Sequence, residues 1–241
     1  MSGDPSALDA LLENPRVWRG HNQARATAGL SSGYPALDRC LPGGGWPVHS
    51  LSEILLENYG IGELELLMPA LASLAGVAAA SQTGAESNNA VNHEQPGWIA
   101  WIAPPFQPYP PALEQWRIDL SRLLIVHPRN ADEVLWSAEQ ALSSGTCGAV
   151  LLWSAQLDDQ SGRRLQLAAE KARSWAVAFR PLRARHEPSA AALRIALEAG
   201  AEGTDLSILK SRGGRPAVLK RFFKPDAQAL SRHYAHSADR P

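Results

Sequence analysis

The chain has 241 residues, 45% hydrophobic and 20% charged, with a formal net charge of −1, a balance that suits one sizeable globular domain with short tails. No run of about 18 uninterrupted apolar residues exists, which excludes a transmembrane helix. The acidic N-terminus "MSGDPSALDALLENP" lacks the charged-then-apolar pattern of a secretion signal, and Cys40 and Cys147 lie far apart, so reduced thiols in a cytoplasmic protein are expected.

In chain order, residues 6–14 place Leu8, Leu11 and Leu12 on one side of a short amphipathic helix. Residues 16–30, with Trp18, form a polar connector. Residues 31–50 are rich in turn formers, and the triple glycine and Pro47 mark a loop. The apolar run at 51–56 predicts the first strand. A helix is expected over about 63–80, kinked by Pro69. Residues 81–96 carry no strand or helix pattern and read as a flexible insertion. "GWIAWIA" (97–103) predicts a buried strand, "PPFQPYPP" (104–111) a stiff turn, and about 111–117 a helix. Strands follow at 122–126, 148–153, 175–181, 192–198, 206–210 and 217–222. Helices are expected at 130–145, with Asn130 as its cap, and at 158–174, with Asp158 and Asp159 at its start. Strands alternating with helices of this length predict an α/β fold: a mostly parallel sheet flanked by helices, ending in more hairpin-like strands.

The net charge hides an asymmetry. Residues 206–241 hold eight Lys/Arg and two Asp/Glu, so the C-terminal region is basic and the rest acidic. Within it "KSRGGRPAVLKRFFKP" interleaves Lys210, Arg212, Arg215, Lys220 and Arg221 with Phe222 and Phe223. Two readings stand. Cations on phosphates with aromatics stacked on bases would bind single-stranded DNA; a strand-turn-strand would pack the phenylalanines inward. His233 and His236 form H-x-x-H without a second pair of ligands nearby, so no metal site is expected. No nucleophile motif such as G-x-S-x-G occurs.

The segment after the first strand stands where a phosphate loop would be. That loop needs G-x-x-x-x-G-K-[ST], whose amides and lysine hold phosphates and whose hydroxyl holds magnesium. Here the eight positions read Glu57-Asn58-Tyr59-Gly60-Ile61-Gly62-Glu63-Leu64, and only Gly62 matches. A unit charge pair about 4 Å apart is worth roughly 4 kcal/mol at an effective dielectric near 20. Replacing the lysine by Glu63 reverses the sign of that contribution. No nucleotide or other cofactor is expected.

Across 30–220 the order of segments resembles the RecA core. The stretches "LPGGGWP" (41–47), "GIGELELLMPAL" (60–71), "WIAPPFQPYPPAL" (101–113), "LDDQSGRRLQLAAE" (157–170) and "ILKSRGG" (208–214) resemble a diverged branch of that superfamily, the ImuA family, related to the SulA cell-division inhibitors. The resemblance implies a RecA-like core at 30–222, an N-terminal helix and linker at 1–29, and a basic tail at 223–241. It implies three failed ATPase positions: Glu63 at the phosphate-binding lysine, Pro105 at the water-activating glutamate and Trp153 at the magnesium-site aspartate. Cation, base and metal shell are then all missing, so no ATPase activity is expected.

By the same resemblance, the implied role is an accessory of SOS-induced, error-prone translesion DNA synthesis. The implied partners are an ImuB-type inactive Y-family polymerase homologue, a DnaE-type polymerase and RecA. The Leu8/Leu11/Leu12 stripe is either a docking element or packs on its own core, and Trp18 joins it as a candidate contact. Two alternatives remain open: a SulA-like inhibitor of FtsZ assembly, and a nucleotide-binding ATPase with a rearranged site.

Overall fold

A computed structural model describes residues 29–75 and 97–224. The expected N-terminal helix with Leu8, Leu11, Leu12 and Trp18, the insertion at 81–96, and the tail with His233 and His236 lie outside the described residues.

Eight strands form one sheet in the order β3-β2-β4-β5-β1-β6-β7-β8. They are β1 (Leu51–Leu56), β2 (Trp98–Ile102), β3 (Leu123–Val126), β4 (Cys147–Trp153), β5 (Trp175–Pro181), β6 (Leu193–Gly200), β7 (Gly203–Ser211) and β8 (Ala217–Phe223). The first six pair in parallel. The last two add antiparallel at one edge. β4 and β5 are almost wholly apolar runs, and they and β1 are buried on both faces, because helices cover a parallel sheet on each side.

One layer joins Ile54, Leu56, Ile99, Trp101, Leu151 and Phe179 to α2 (Met68–Leu74) and to Leu113 of α3 (Pro110–Gln115). The opposite layer joins Leu51, Ala100, Ile102, Val150 and Leu152 to α4 (Ala131–Ser143) and α5 (Asp159–Ala172). Each fully buried large apolar side chain contributes about 1.5–3 kcal/mol relative to exposure. Asn130 caps α4 by accepting from the Glu133 amide at 2.9 Å, and Asp158 caps α5 by accepting from the Ser161 amide at 2.7 Å. Asp159 does not cap; it is the first helical residue and pairs with Arg163 at 2.8 Å.

Four local expectations change. Residues 31–50 are not all loop: Pro35–Asp38 form a short helix, α1, with Asp38 accepting from the Ser32 amide at 2.9 Å. The helix expected over 63–80 starts only at Met68. Residues 63–67 are turns, and Pro69 sits in the first helical turn, where its missing N–H costs nothing, so it starts the helix rather than kinking it. β8 runs through Phe223, one residue past the expected end of the core. β3 is a sheet edge, which leaves Leu124 and Ile125 exposed.

Candidate functional site

The loop after β1 closes on itself. The Glu63 side chain turns back and accepts from the Gly60 amide at 2.8 and 2.9 Å and from the Ile61 amide at 3.0 Å. Successive backbone N–H groups aimed into one concavity form a nest that binds anions, the device by which a phosphate loop holds phosphate. In this chain the anion in the nest is the protein's own carboxylate, and Glu63 is only 5% exposed. Charge-assisted hydrogen bonds of this kind are roughly twice as strong as neutral ones. The carboxylate and burial together hold the neighbouring Tyr59 phenol above its ordinary pKa, burial being the larger cause.

The loop backbone needs its glycines. Gly60 has φ +85° and Gly62 φ +104°, conformations that side chains rarely adopt. A Cβ on Gly62 would stand 2.5 Å from the Phe223 ring. The β7–β8 hairpin therefore presses on this loop, and Thr204 Oγ1 also donates to the Ile61 carbonyl at 2.9 Å. Phe223 is buried, and it meets Tyr34 edge-on at 5.7 Å and Phe222 at 4.9 Å. Of the two readings of this segment, inward packing describes both phenylalanines: Phe223 offers no face to a nucleic-acid base, and Phe222 is half-buried against the core.

The cations of that segment are mostly engaged. Lys220 holds Asp205 at 2.6 Å, Arg221 holds Glu202 at 2.6 Å and Arg212 meets Glu170 at 3.4 Å. Lys210 donates to the Ser189 carbonyl at 2.7 Å, and burial, with Arg212 and Arg194 nearby, lowers its pKa. Arg215 is exposed. These residues share a hairpin but do not converge on one free basic surface.

At the remaining positions singled out by the sequence, Leu64 packs against the core and Glu57 is exposed at the mouth of a cleft. Pro105 lies exposed in the loop after β2. Trp153, at the end of β4, is 7% exposed and stacks on Phe179 at 4.6 Å, with Trp101 tilted against it at 5.6 Å. An indole packed in this way offers no ligand to a metal ion. Among the described residues no group of three or more His, Cys, Asp or Glu could hold a metal ion. No helix among them is long and apolar enough to cross a membrane.

A second charged feature escaped the sequence reading. Glu53 sits inside β1, 1% exposed, with Arg194 directly beside it on β6. Its carboxylate accepts from Arg194 Nε at 2.7 Å, Arg180 Nη1 at 3.2 Å and Ser189 Oγ at 2.7 Å. Arg194 continues to the carbonyls of Ala184 (2.7 Å) and Glu187 (3.1 Å), and Arg180 to the Glu187 carboxylate at 2.6 Å. The cluster thereby ties segment 182–189, with its 3-10 turn at Leu182–His186, to the sheet. That turn lines a cleft of about 430 Å³ together with Glu57 and Pro181. The signal available was a glutamate inside the mostly apolar strand "LSEILL", and the basic run "RPLRARH" at 180–186.

These features define an α/β protein with a mostly parallel sheet and a loop after β1 whose amides are held by its own carboxylate. A segment of 142 residues, 59% of the chain, is 31% identical to Protein ImuA of Caulobacter vibrioides, with the same match in each of two strains. The chain is thus similar to ImuA, as its sequence stretches indicated; the matched segment spans about half, 53%, of the length of these curated relatives. No family model matches. A crystal structure of SulA from Pseudomonas aeruginosa aligns with 54% of this chain and 97% of its own, at 23% identity and a TM-score of 0.39. A superposition that loose carries no conclusion.

Proposed function

We propose that this chain is a catalytically silent, RecA-like accessory factor of SOS-induced, error-prone translesion DNA synthesis that works through protein contacts. The observation that carries the silent half of this reading is the Glu63 carboxylate on the Gly60 and Ile61 amides. A triphosphate entering this loop would have to displace a buried charge from its hydrogen bonds and then lie beside it. The stacked Trp153 supports the same reading, because it stands where the resemblance expects a magnesium-site aspartate. The order of the parallel strands, with the loop at the end of a central β1, supports a RecA-like core.

The second half rests on the similarity to ImuA. Its partners in this reading are an ImuB-type protein, a DnaE-type polymerase and RecA, met in the cytoplasm. Co-elution on a sizing column tests it, with the purified chain mixed separately with each of the three and with FtsZ. A shared peak with the ImuB-type protein or RecA is the expected result. A shared peak with FtsZ alone, or none at all, overturns the reading.

A further inference from the structure

The cleft beside the closed loop lies at a topological switch point. β1 and β5 are neighbours and parallel. The chain leaving β1 packs α2 against the layer of Ile54 and Leu56. The chain leaving β5 packs Leu182 and Ala184 against Leu55 and Ala196 on the opposite face. In open α/β sheets, the crevice between two connections that diverge in this way, outside the carboxyl ends of the strands, is where ligands bind. Here the cleft is lined by Arg183, Arg185 and His186 together with Glu57.

The backbone that carries these side chains is held in place. Arg194 fixes the carbonyls of Ala184, Arg185 and Glu187 from beneath. Arg185 shares its charge with Glu198 at 3.5 Å. Arg183 and His186 are exposed and have no acidic partner among the described ion pairs. At the same end of the sheet, Tyr59 and Phe106 meet edge to face at 6.3 Å and are 43% and 71% exposed. Aromatic residues and arginine are the side chains enriched where proteins bind one another most tightly.

We propose that this end of the sheet docks an acidic segment of a partner protein, one that places carboxylates on Arg183 and His186 and a large apolar side chain on the Tyr59–Phe106 pair. A nucleic-acid backbone fits less well. It presents a phosphate at every nucleotide and needs a track of cations, whereas this cleft offers one free arginine, Arg183, with the His186 imidazole as a further hydrogen-bonding group, and also holds the Glu57 carboxylate. A peptide can bring isolated carboxylates and leave Glu57 beside a neutral residue. The proposal rests on the reading of this chain as a factor that works through protein contacts, and it names one surface for them.

The test uses the full chain and fluorescein-labelled peptides about 12 residues long, rich in Asp and Glu, with one Phe or Leu walked along them. Fluorescence anisotropy is expected to show saturable binding that weakens as salt rises. Arg183→Glu with His186→Glu should weaken it at least about tenfold, and Phe106→Ala by several-fold. Arg215→Glu, on the hairpin, should leave it unchanged, and circular dichroism should show each variant folded. Absence of binding by every peptide overturns the proposal, as does binding indifferent to Arg183 and His186. Tighter, Arg183-dependent binding of an oligothymidine also overturns it and makes the cleft a nucleic-acid site. If the wild-type chain still co-elutes with its partners while the peptides fail, the docking surface is wrong and the broader reading stands.

Discussion

Two glutamates ten residues apart, Glu53 and Glu63, are both buried, and the fold satisfies them by opposite means. Glu53 meets two guanidinium groups and a hydroxyl. Glu63 meets only backbone amides of its own loop. The first is a fixed part of the sheet, because its removal would leave Arg194 a buried charge without an acidic partner and Arg180 with only the half-exposed Glu187. The second is an anion in a cradle of successive backbone amides, the kind of concavity that binds anions. One charge joins strands of the sheet; the other folds the loop after β1 back on itself.

The sharpest way to break this comparison is at Glu53. Glu53→Ala should cost about 3–5 kcal/mol, the usual penalty for breaking a buried ion pair from one side. Urea unfolding checks it, and added sulfate should not restore the loss. Glu63→Ala should cost less, roughly 1–3 kcal/mol, because it leaves two amides without an acceptor. Here sulfate or phosphate should raise the midpoint of thermal unfolding, since an anion binding only the folded state stabilises it by mass action. Equal losses at the two positions, or equal indifference to sulfate, would erase the distinction.

Tyr34 reports on the packing that holds the loop shut. Its ring lies against Phe222 and Phe223, and its hydroxyl donates to the Glu65 carbonyl at 3.2 Å. Burial first, and Glu65 second, push its pKa from 10.0 up to about 12. A phenol raised in the folded state contributes stability that is complete below pH 10 and lost as the pH climbs toward 12. Phenolate absorbance should therefore show a late-titrating tyrosine that disappears in Tyr34→Phe, and the same substitution should lessen the loss of stability across that window.

The smallest effect belongs to the exposed pair Asp205–Lys220. The hydrogen bond from Lys220, then that from the Arg221 amide, holds the Asp205 carboxyl below its ordinary pKa. A lowered carboxyl contributes stability present at neutral pH and lost as the pH falls through the lowered value. Asp205→Asn should shift the melting temperature slightly at pH 7 and not at all once the carboxyl is protonated. A shift matching that of Glu53→Ala would mean that burial does not separate the two kinds of pair.

Much of the sheet was legible because local rules decide it. Short apolar runs became β2, β4 and β5, the first of them bounded by Gly and Pro, and Asn130 and Asp158 cap the helices they precede. The turn after β1, with Gly60 and Gly62, was legible as a glycine-dependent loop. What was not legible is where side chains go once the chain folds. Glu63 reads as a charge facing solvent or repelling phosphate, and nothing in "GIGELELL" says that it turns back onto Gly60. Glu53 finds Arg180 and Arg194 at separations of 127 and 141 residues, far beyond any local signal. Phe223 reads equally as a base-stacking ring until Gly62 is seen beneath it. The turns at 63–67 were missed because their apolar spacing imitates a helix that begins only at Met68.

The most direct test of the central claim, that this loop is closed by its own carboxylate and holds no nucleotide, is an equilibrium titration of the wild-type chain with a fluorescent ATP analogue and magnesium. The account predicts no saturable binding below the millimolar range. Micromolar, magnesium-dependent binding would contradict it, because a triphosphate would then occupy a nest that Glu63 is said to fill.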